Sequence, residues 1–130
     1  MEKQLYHPPI YAKIDPVLNV FISIRLAEIN GFRARLPQHI NKARQLGLDN
    51  QRISAINRWR NIDVFSETEQ AVFSLIEEMT GQSKTVSLET YNKALKLLGE
   101  PELARVMTAI SVIHAWKRIA LQLKQLPMIA

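Results

Sequence analysis

The side chain best suited to chemistry in this chain is the imidazole of His39. A helix predicted over residues 36–46 places His39 on one face with Ala43 and Leu46, and that face should point inward. Imidazole titrates near neutrality, so His39 could act as a general acid or base. Arg35, one turn earlier, would favour the neutral ring that a base requires. The alternative is a packed histidine with one hydrogen-bonded ring nitrogen.

The residues before His39 favour an anionic ligand. Arg33 and Arg35 carry positive charge beside the predicted start of the helix, where free backbone amides attract anions. We therefore consider a small anionic molecule a candidate partner, bound by Arg33 and Arg35 next to Phe32.

The two other histidines give weaker indications. His114 shares a predicted helix face with Met107, Ile110 and Leu121, and we expect a buried histidine bonded to a neighbour. His7 has no supporting pattern. The three histidines lie at unrelated spacings without an H-x-x-x-H pair, so no metal site is predicted. The sequence has no Gly-rich phosphate loop and no G-x-S-x-G turn, and no cofactor is expected.

A rival motif favours DNA binding. In "INKARQLGLDNQRISAINRWR", Ala43 is followed by Gly47 after four residues and by Ile53 after six more, as in a helix-turn-helix. The second helix would present polar side chains to a groove and arginines to phosphates, namely Asn50, Gln51, Arg52 and Ser54, then Arg58 and Arg60. The same spacing is common in all-α proteins, so nucleic acid is the less favoured partner.

The composition is that of an ordinary globular protein. The 130 residues are 47% apolar and 22% charged, with a formal net charge of +5. No cysteine occurs, which excludes disulfides, thiolate zinc sites and thiol redox chemistry within the chain. The N-terminal sequence does not resemble a signal peptide, and no apolar run reaches the roughly 18 residues of a membrane span. We expect a cytoplasmic protein without a membrane partner.

Helical patterns separated by Gly and Pro predict a single all-α domain over residues 1–130, with about six helices and no sheet. Residues 1–14 are expected to form an irregular arm, because Pro8-Pro9 disfavours a helix. The predicted helices run from Pro16 to Asn30, over 36–46, from the Asp49 cap to about Arg60, from the Ser66 capping box to Gly81, from the Ser87 cap to Leu98, and from Pro101 to about Gln125.

The first helix carries two apolar stripes, one beginning at Val17 and the other at Leu18. A helix that is apolar on two sides is buried on both, either in the core or against another subunit. Because the last helix is apolar too, one subunit is not expected to cover both stripes, and we predict a homo-oligomer.

Several short motifs follow one another in a fixed order over roughly residues 17–123. They are Ile29-Asn30-Gly31, His39, Ala43, Leu46-Gly47-Leu48, Trp59-Arg60, Phe65-Ser66, Glu69 and Thr80, and then "AISVIHAWKR" with Trp116 and Arg118. In this order they resemble the carboxymuconolactone decarboxylase and alkylhydroperoxidase D family, whose pattern continues I-N-G with C-x-x-C-x-x-x-H. His114 stands where that family usually has asparagine. The resemblance implies an alkylhydroperoxidase D-like helical domain and a trimer or hexamer.

The chain departs from this family at the residues that carry its redox chemistry. Phe32 stands at the position of the first cysteine, Arg35 at that of the second, and Val20 at that of the proton-relay Glu. The family's peroxidase reaction needs a thiolate to attack the peroxide and a second thiol to resolve the sulfenic acid. The resemblance therefore implies the fold, while the residue types remove the thiol peroxidase reaction. Of the family's proton relay, only His39 remains.

Three functions remain open from the sequence. The first is a redox-inactive family member that serves as a structural or binding protein. The second is a cofactor-free decarboxylase or isomerase, in which His39 moves a proton on a small organic acid held by Arg35 or Arg33. The third is a helix-turn-helix DNA-binding module.

Overall fold

A computed structural model describes residues 14–123, and every regular element in that range is helical. The elements are α1 (Pro16–Asn30), α2 (Leu36–Gln45), α3 (Asn50–Ala55), a 3₁₀ helix (Ile56–Asn61), α4 (Glu67–Thr80), α5 (Leu88–Leu98) and α6 (Glu100–Gln122). The predicted all-α fold of about six helices is confirmed. The predicted arm, residues 1–14, lies outside the described residues except for Ile14. None of the helices in residues 14–123 combines the length and the apolar composition of a membrane span.

Helix α1 is the central helix of the fold, in contact with α2, α4, α6 and the 3₁₀ helix. Its buried side chains come from both apolar stripes and are Leu18, Val20, Phe21, Ile22, Ile24, Leu26 and Ala27. Both stripes are therefore covered within one chain, and the expectation that a second subunit must cover them is wrong. Helix α6 does leave Trp116 36% and Ile119 42% exposed. These exposed apolar side chains of α6 are now the observation that favours self-association, which stays a prediction.

Local interactions fix both ends of α1. The carboxylate of Asp15 accepts a hydrogen bond from the backbone N–H of Val17 at 2.7 Å, with Pro16 in the first turn. At the other end Gly31 has φ of 67°, a left-handed conformation that favours glycine. The N–H of Phe32 then donates to the carbonyl of Ala27 at 2.9 Å. This closed turn determines where Phe32 lies relative to α1.

Four aromatic rings form the middle of the core. They are the fully buried ring of Phe73 and the three rings that it contacts. Its centroid lies 5.4 Å from that of Phe21, 5.1 Å from that of Phe65 and 5.5 Å from that of Trp59. The Phe65 ring meets Phe73 edge-on and the Trp59 ring stacks on it, which are favoured aromatic geometries. These contacts join α1, the 3₁₀ helix and α4.

The helix predicted from Asp49 to about Arg60 is shorter than expected. The α-helix ends at Ala55, a 3₁₀ helix follows, and Arg58 leaves helical geometry with φ of −130° and ψ of 36°. Ile56 and Trp59 are both buried. Since a 3₁₀ helix aligns residues three apart, this conformation turns both of them towards the core.

The remaining predicted helix ends agree with the structure to within a few residues. Ser66 and Glu69 form the predicted capping box, with bonds of 3.1 Å and 2.9 Å between side chain and backbone in each direction. Ser87 caps α5. Helix α6 begins at Glu100, one residue before Pro101, and ends at Gln122 instead of about Gln125. Residues 124–130 lie outside the described range.

We predict that Phe73→Ala lowers the free energy of unfolding by about 3–5 kcal/mol, because the fully buried ring contacts three other aromatic rings and its removal leaves a cavity. Leu88→Ala is the control, since Leu88 is 73% exposed, and should change stability by less than about 0.5 kcal/mol. Urea unfolding of both variants measures the difference, and similar losses in the two would contradict this account of the core.

Candidate functional site

The side chain of His39, on α2, contacts the last helix, α6. Helix α2 begins at Leu36, with Arg35 at its N-cap and Pro37 in the first turn, as the sequence predicts. His39 is half-buried, and Nε2 of its ring lies 3.2 Å from Nζ of Lys117 on α6. The inward face of α2 thus brings His39 to a lysine 78 residues further along the chain.

Lys117 is a buried cation, only 5% exposed. Its Nζ lies 5.3 Å from the centroid of the Phe32 ring, in position for a cation–π contact. No ion pair joins it to a carboxylate within residues 14–123. Burial, with a smaller contribution from the charge of Arg35, lowers the pKa of the Lys117 ammonium to about 8. The ammonium remains the major form at neutral pH.

His39 is neutral at physiological pH. Burial lowers its pKa to about 4, and the positive charges of Lys117 and Arg35 contribute to the same shift. The sequence indicated Arg35 as the cause, whereas burial and Lys117 have larger effects. Because the charged Lys117 donates to Nε2, the ring proton of neutral His39 is on Nδ1. Nε2 can therefore accept a proton only when Lys117 supplies it or moves aside.

The structure brings together three of the four predicted site residues. Phe32 is buried under Lys117, and the charge of exposed Arg35 acts on both His39 and Lys117. Arg33, also exposed, acts electrostatically on Glu28 of α1. We define the His39 cluster as Phe32, Arg35, His39 and Lys117.

Lys117 is the functional candidate that sequence reasoning missed. A signal was present, because Lys117 continues the buried face of α6 between Ile113 and Ala120. A lysine on an apolar helix face is costly to bury unless a partner or a ligand offsets its charge. The sequence alone does not say which residues surround it, and so it gave no reason to pair Lys117 with His39.

His114 makes a separate contact. Its Nδ1 lies 3.1 Å from Nδ2 of Asn30, which also donates to the carbonyl of Leu26 at 2.9 Å. The ring is half-buried and bonded to a neighbour, close to the expectation from sequence. Burial lowers the pKa of His114, and the charges of Arg118 and Lys84 lower it further. Within residues 14–123 no group of three or more His, Asp or Glu side chains is placed to hold a metal ion.

The arginines of the helix-turn-helix motif contact the protein itself. The Arg52 guanidinium pairs with Glu69, donates to the carbonyl of Val64 at 3.1 Å, and lies over the rings of Phe21 and Phe65. Arg60 pairs with Glu77 at 3.2 Å and lies 4.4 Å from the Trp59 ring centroid. The proposed recognition helix, α3, has only six residues.

We predict that His39 stays neutral, with the proton on Nδ1, down to about pH 4. In Lys117→Met the pKa of His39 should rise, because a neighbouring positive charge is removed. Lys93→Met, at an exposed position on α5, is the matched control and should leave it unchanged. Imidazole ¹⁵N NMR against pH measures all three. Titration of wild-type His39 near its ordinary value of 6.5 would contradict the structure.

The same shift has a consequence for stability. The unfolded chain binds a proton at His39 near pH 6.5 and the folded protein only near pH 4. Folding stability from this group is therefore complete above pH 6.5 and is lost as the pH falls from there to about 4. In His39→Gln this part of the pH dependence should disappear.

Comparisons with known proteins agree with the family resemblance and with the fold. The model of the Carboxymuconolactone decarboxylase family matches residues 5–78. An uncharacterised protein of Bacillus subtilis (strain 168), YdfG, is 29% identical over 111 residues, which cover 85% of this chain and 76% of YdfG.

A solved structure shares the fold. It is the crystal structure of ATU0492 from Agrobacterium tumefaciens, a protein of unknown function described as a candidate antioxidant defence protein AhpD. The TM-score is 0.79 at 24% identity, over 85% of this chain and 77% of the other. Since the family model covers more than half of its residues, this chain belongs to the Carboxymuconolactone decarboxylase family, with an AhpD-like all-α fold and no cysteine.

Proposed function

We propose that this protein is a family member without thiol peroxidase activity. The observation that carries the proposal is the replacement of both cysteines of the family pattern, with the ring of Phe32 buried beneath Lys117 and Arg35 exposed nearby. A phenyl ring and a guanidinium can neither attack a peroxide oxygen nor resolve a sulfenic acid. What the chain retains is the scaffold and a cationic cluster that can bind a ligand.

We predict no reduction of hydroperoxide above the protein-free blank, with dithiothreitol or a lipoyl dithiol as the electron donor. The absence of any thiol in the chain is the reason. Peroxide consumption is measured directly, and a cysteine-containing peroxidase of the same family, assayed in parallel, shows that the conditions support turnover. Dithiol-dependent turnover by the present protein would overturn the proposal.

A second candidate function is proton transfer on a small organic acid without a cofactor. The observation that favours it is the buried ammonium of Lys117, which has no carboxylate partner within residues 14–123. A buried charge without a counter-charge is unfavourable, and a bound carboxylate would supply one. Arg35 adds a second positive charge, which acts on both Lys117 and the ring of His39.

The roles within the His39 cluster differ from those that the sequence suggested. Lys117 and Arg35 hold the carboxylate in this proposal, since Arg33 acts on Glu28. When the bound carboxylate draws the Lys117 ammonium away from Nε2, the neutral imidazole of His39 is free to accept a proton from the substrate at that nitrogen and to return it later. The family's relay Glu is replaced by Val20, which is buried on α1, so the Lys117–His39 pair would have to provide the relay.

We predict that millimolar malonate or pyruvate raises the Tm of the wild-type protein, because ligands that bind only the folded state stabilise it. His39→Ala and Arg35→Ala should remove most of this increase. Arg33→Ala is the matched control and should keep it, because Arg33 lies outside the cluster. Thermal unfolding followed by circular dichroism gives each Tm. Equal increases in the wild type and in both cluster variants would reject the assignment of the site.

DNA binding is not part of the proposal. Arg52 and Arg60, which would contact phosphates, are paired with Glu69 and Glu77 of α4. Release of Arg52 would leave the partly buried carboxylate of Glu69 without its cationic partner. Glu77 would keep Arg25 and the Trp59 indole after release of Arg60.

A further inference from the structure

A second candidate binding site lies between the end of α4 and α6. It is a groove of about 460 Å³. Its lining includes Met79 of α4, Lys84 of the following loop, and four residues of α6, namely Ile110, His114, Arg118 and Ile119. None of these residues belongs to the His39 cluster.

The charge of the groove is positive. Its lining includes Lys84 and Arg118 and contains no acidic side chain. Neither cation is in an ion pair with a residue of the described range, 14–123. The positive charges of both side chains lower the pKa of His114, so the electrostatic potential at this ring is positive. A concave surface with charge of one sign attracts ligands of the opposite sign.

His114 adds a hydrogen-bond donor of fixed position. The side-chain amide of Asn30 donates to its Nδ1 and is itself oriented by the bond to the carbonyl of Leu26. The neutral ring therefore carries its proton on Nε2. A ligand with acceptor oxygens can use this donor together with the two cations.

The other side of the groove is apolar. Ile110 is 1% exposed and Ile119 is 42% exposed, so one lies at the floor and the other at the rim, with Met79 beside them. An inorganic anion would use the cations and leave this apolar surface in contact with water. A ligand with a charged end and a short hydrocarbon chain uses both parts.

We propose that this groove binds a monocarboxylate with a short apolar chain. The carboxylate lies against Arg118, Lys84 and His114, and the chain lies along Ile110 and Ile119. This site is independent of the proton-transfer function proposed for the His39 cluster, because the two have no residue in common.

The test is titration of the full-length protein with octanoate, followed by calorimetry and by imidazole ¹⁵N NMR. We expect saturable binding that shifts the His114 signals and leaves those of His39 in place. Octan-1-ol, with the same chain and no charge, should bind at least about tenfold more weakly, as expected when a charge-assisted hydrogen bond is lost.

Variants separate this site from general attraction to a basic protein. Arg118→Gln should weaken octanoate binding about tenfold or more, and Lys84→Gln should weaken it as well. Lys93→Gln, at an exposed position on α5 outside the groove, should bind like the wild type. Three results would overturn the proposal: no saturable binding, as when a second copy of the chain covers the groove; equal affinity for octan-1-ol; or equal affinity in Arg118→Gln. Shifts at His39 alone would place the ligand in the His39 cluster instead.

Discussion

The enclosure of α1 is the constraint on which the rest of the structure depends. Its apolar residues lie on two sides of the helix, so other helices must pack on both sides for the chain to bury them. Once α1 is fixed, its C-terminal end is fixed too. Asn30 then meets His114, and the turn at Gly31 places Phe32 under Lys117. Both candidate sites are therefore positioned by the burial of one helix.

Both candidate sites include residues of α6, and their charges are arranged in a similar way. In each, burial and neighbouring cations keep a histidine neutral, so the positive charge lies on lysine and arginine. The imidazoles therefore act through hydrogen bonds of defined direction. At Lys117 an anion would offset a buried charge, whereas at the groove it would meet cations that are already hydrated. The charge of the His39 cluster therefore depends more strongly on a bound anion than the charge of the groove does.

The fold does not depend on the side chains at the two positions where the family pattern has cysteine. The residues that hold the helices together are the α1 side chains and the rings around Phe73, and they are separate from Phe32 and Arg35. The turn after Gly31 is closed by backbone hydrogen bonds, which do not depend on the side chain at position 32. A scaffold built in this way retains its shape when its reactive residues are exchanged.

The sequence by itself determined the features that depend on neighbours within a few residues. The caps at Asp15 and Ser66, the turn at Gly31 and the all-α class could be predicted, and the lack of thiols is read directly from the composition. The role of His39 stays a prediction. Only the tertiary structure decided what lies opposite each side chain. Lys117 is 78 residues from His39 and His114 is 84 from Asn30, and the 3₁₀ turn that buries Trp59 is coupled to packing on Phe73. Such contacts depend on the path of the whole chain, which local spacing does not specify.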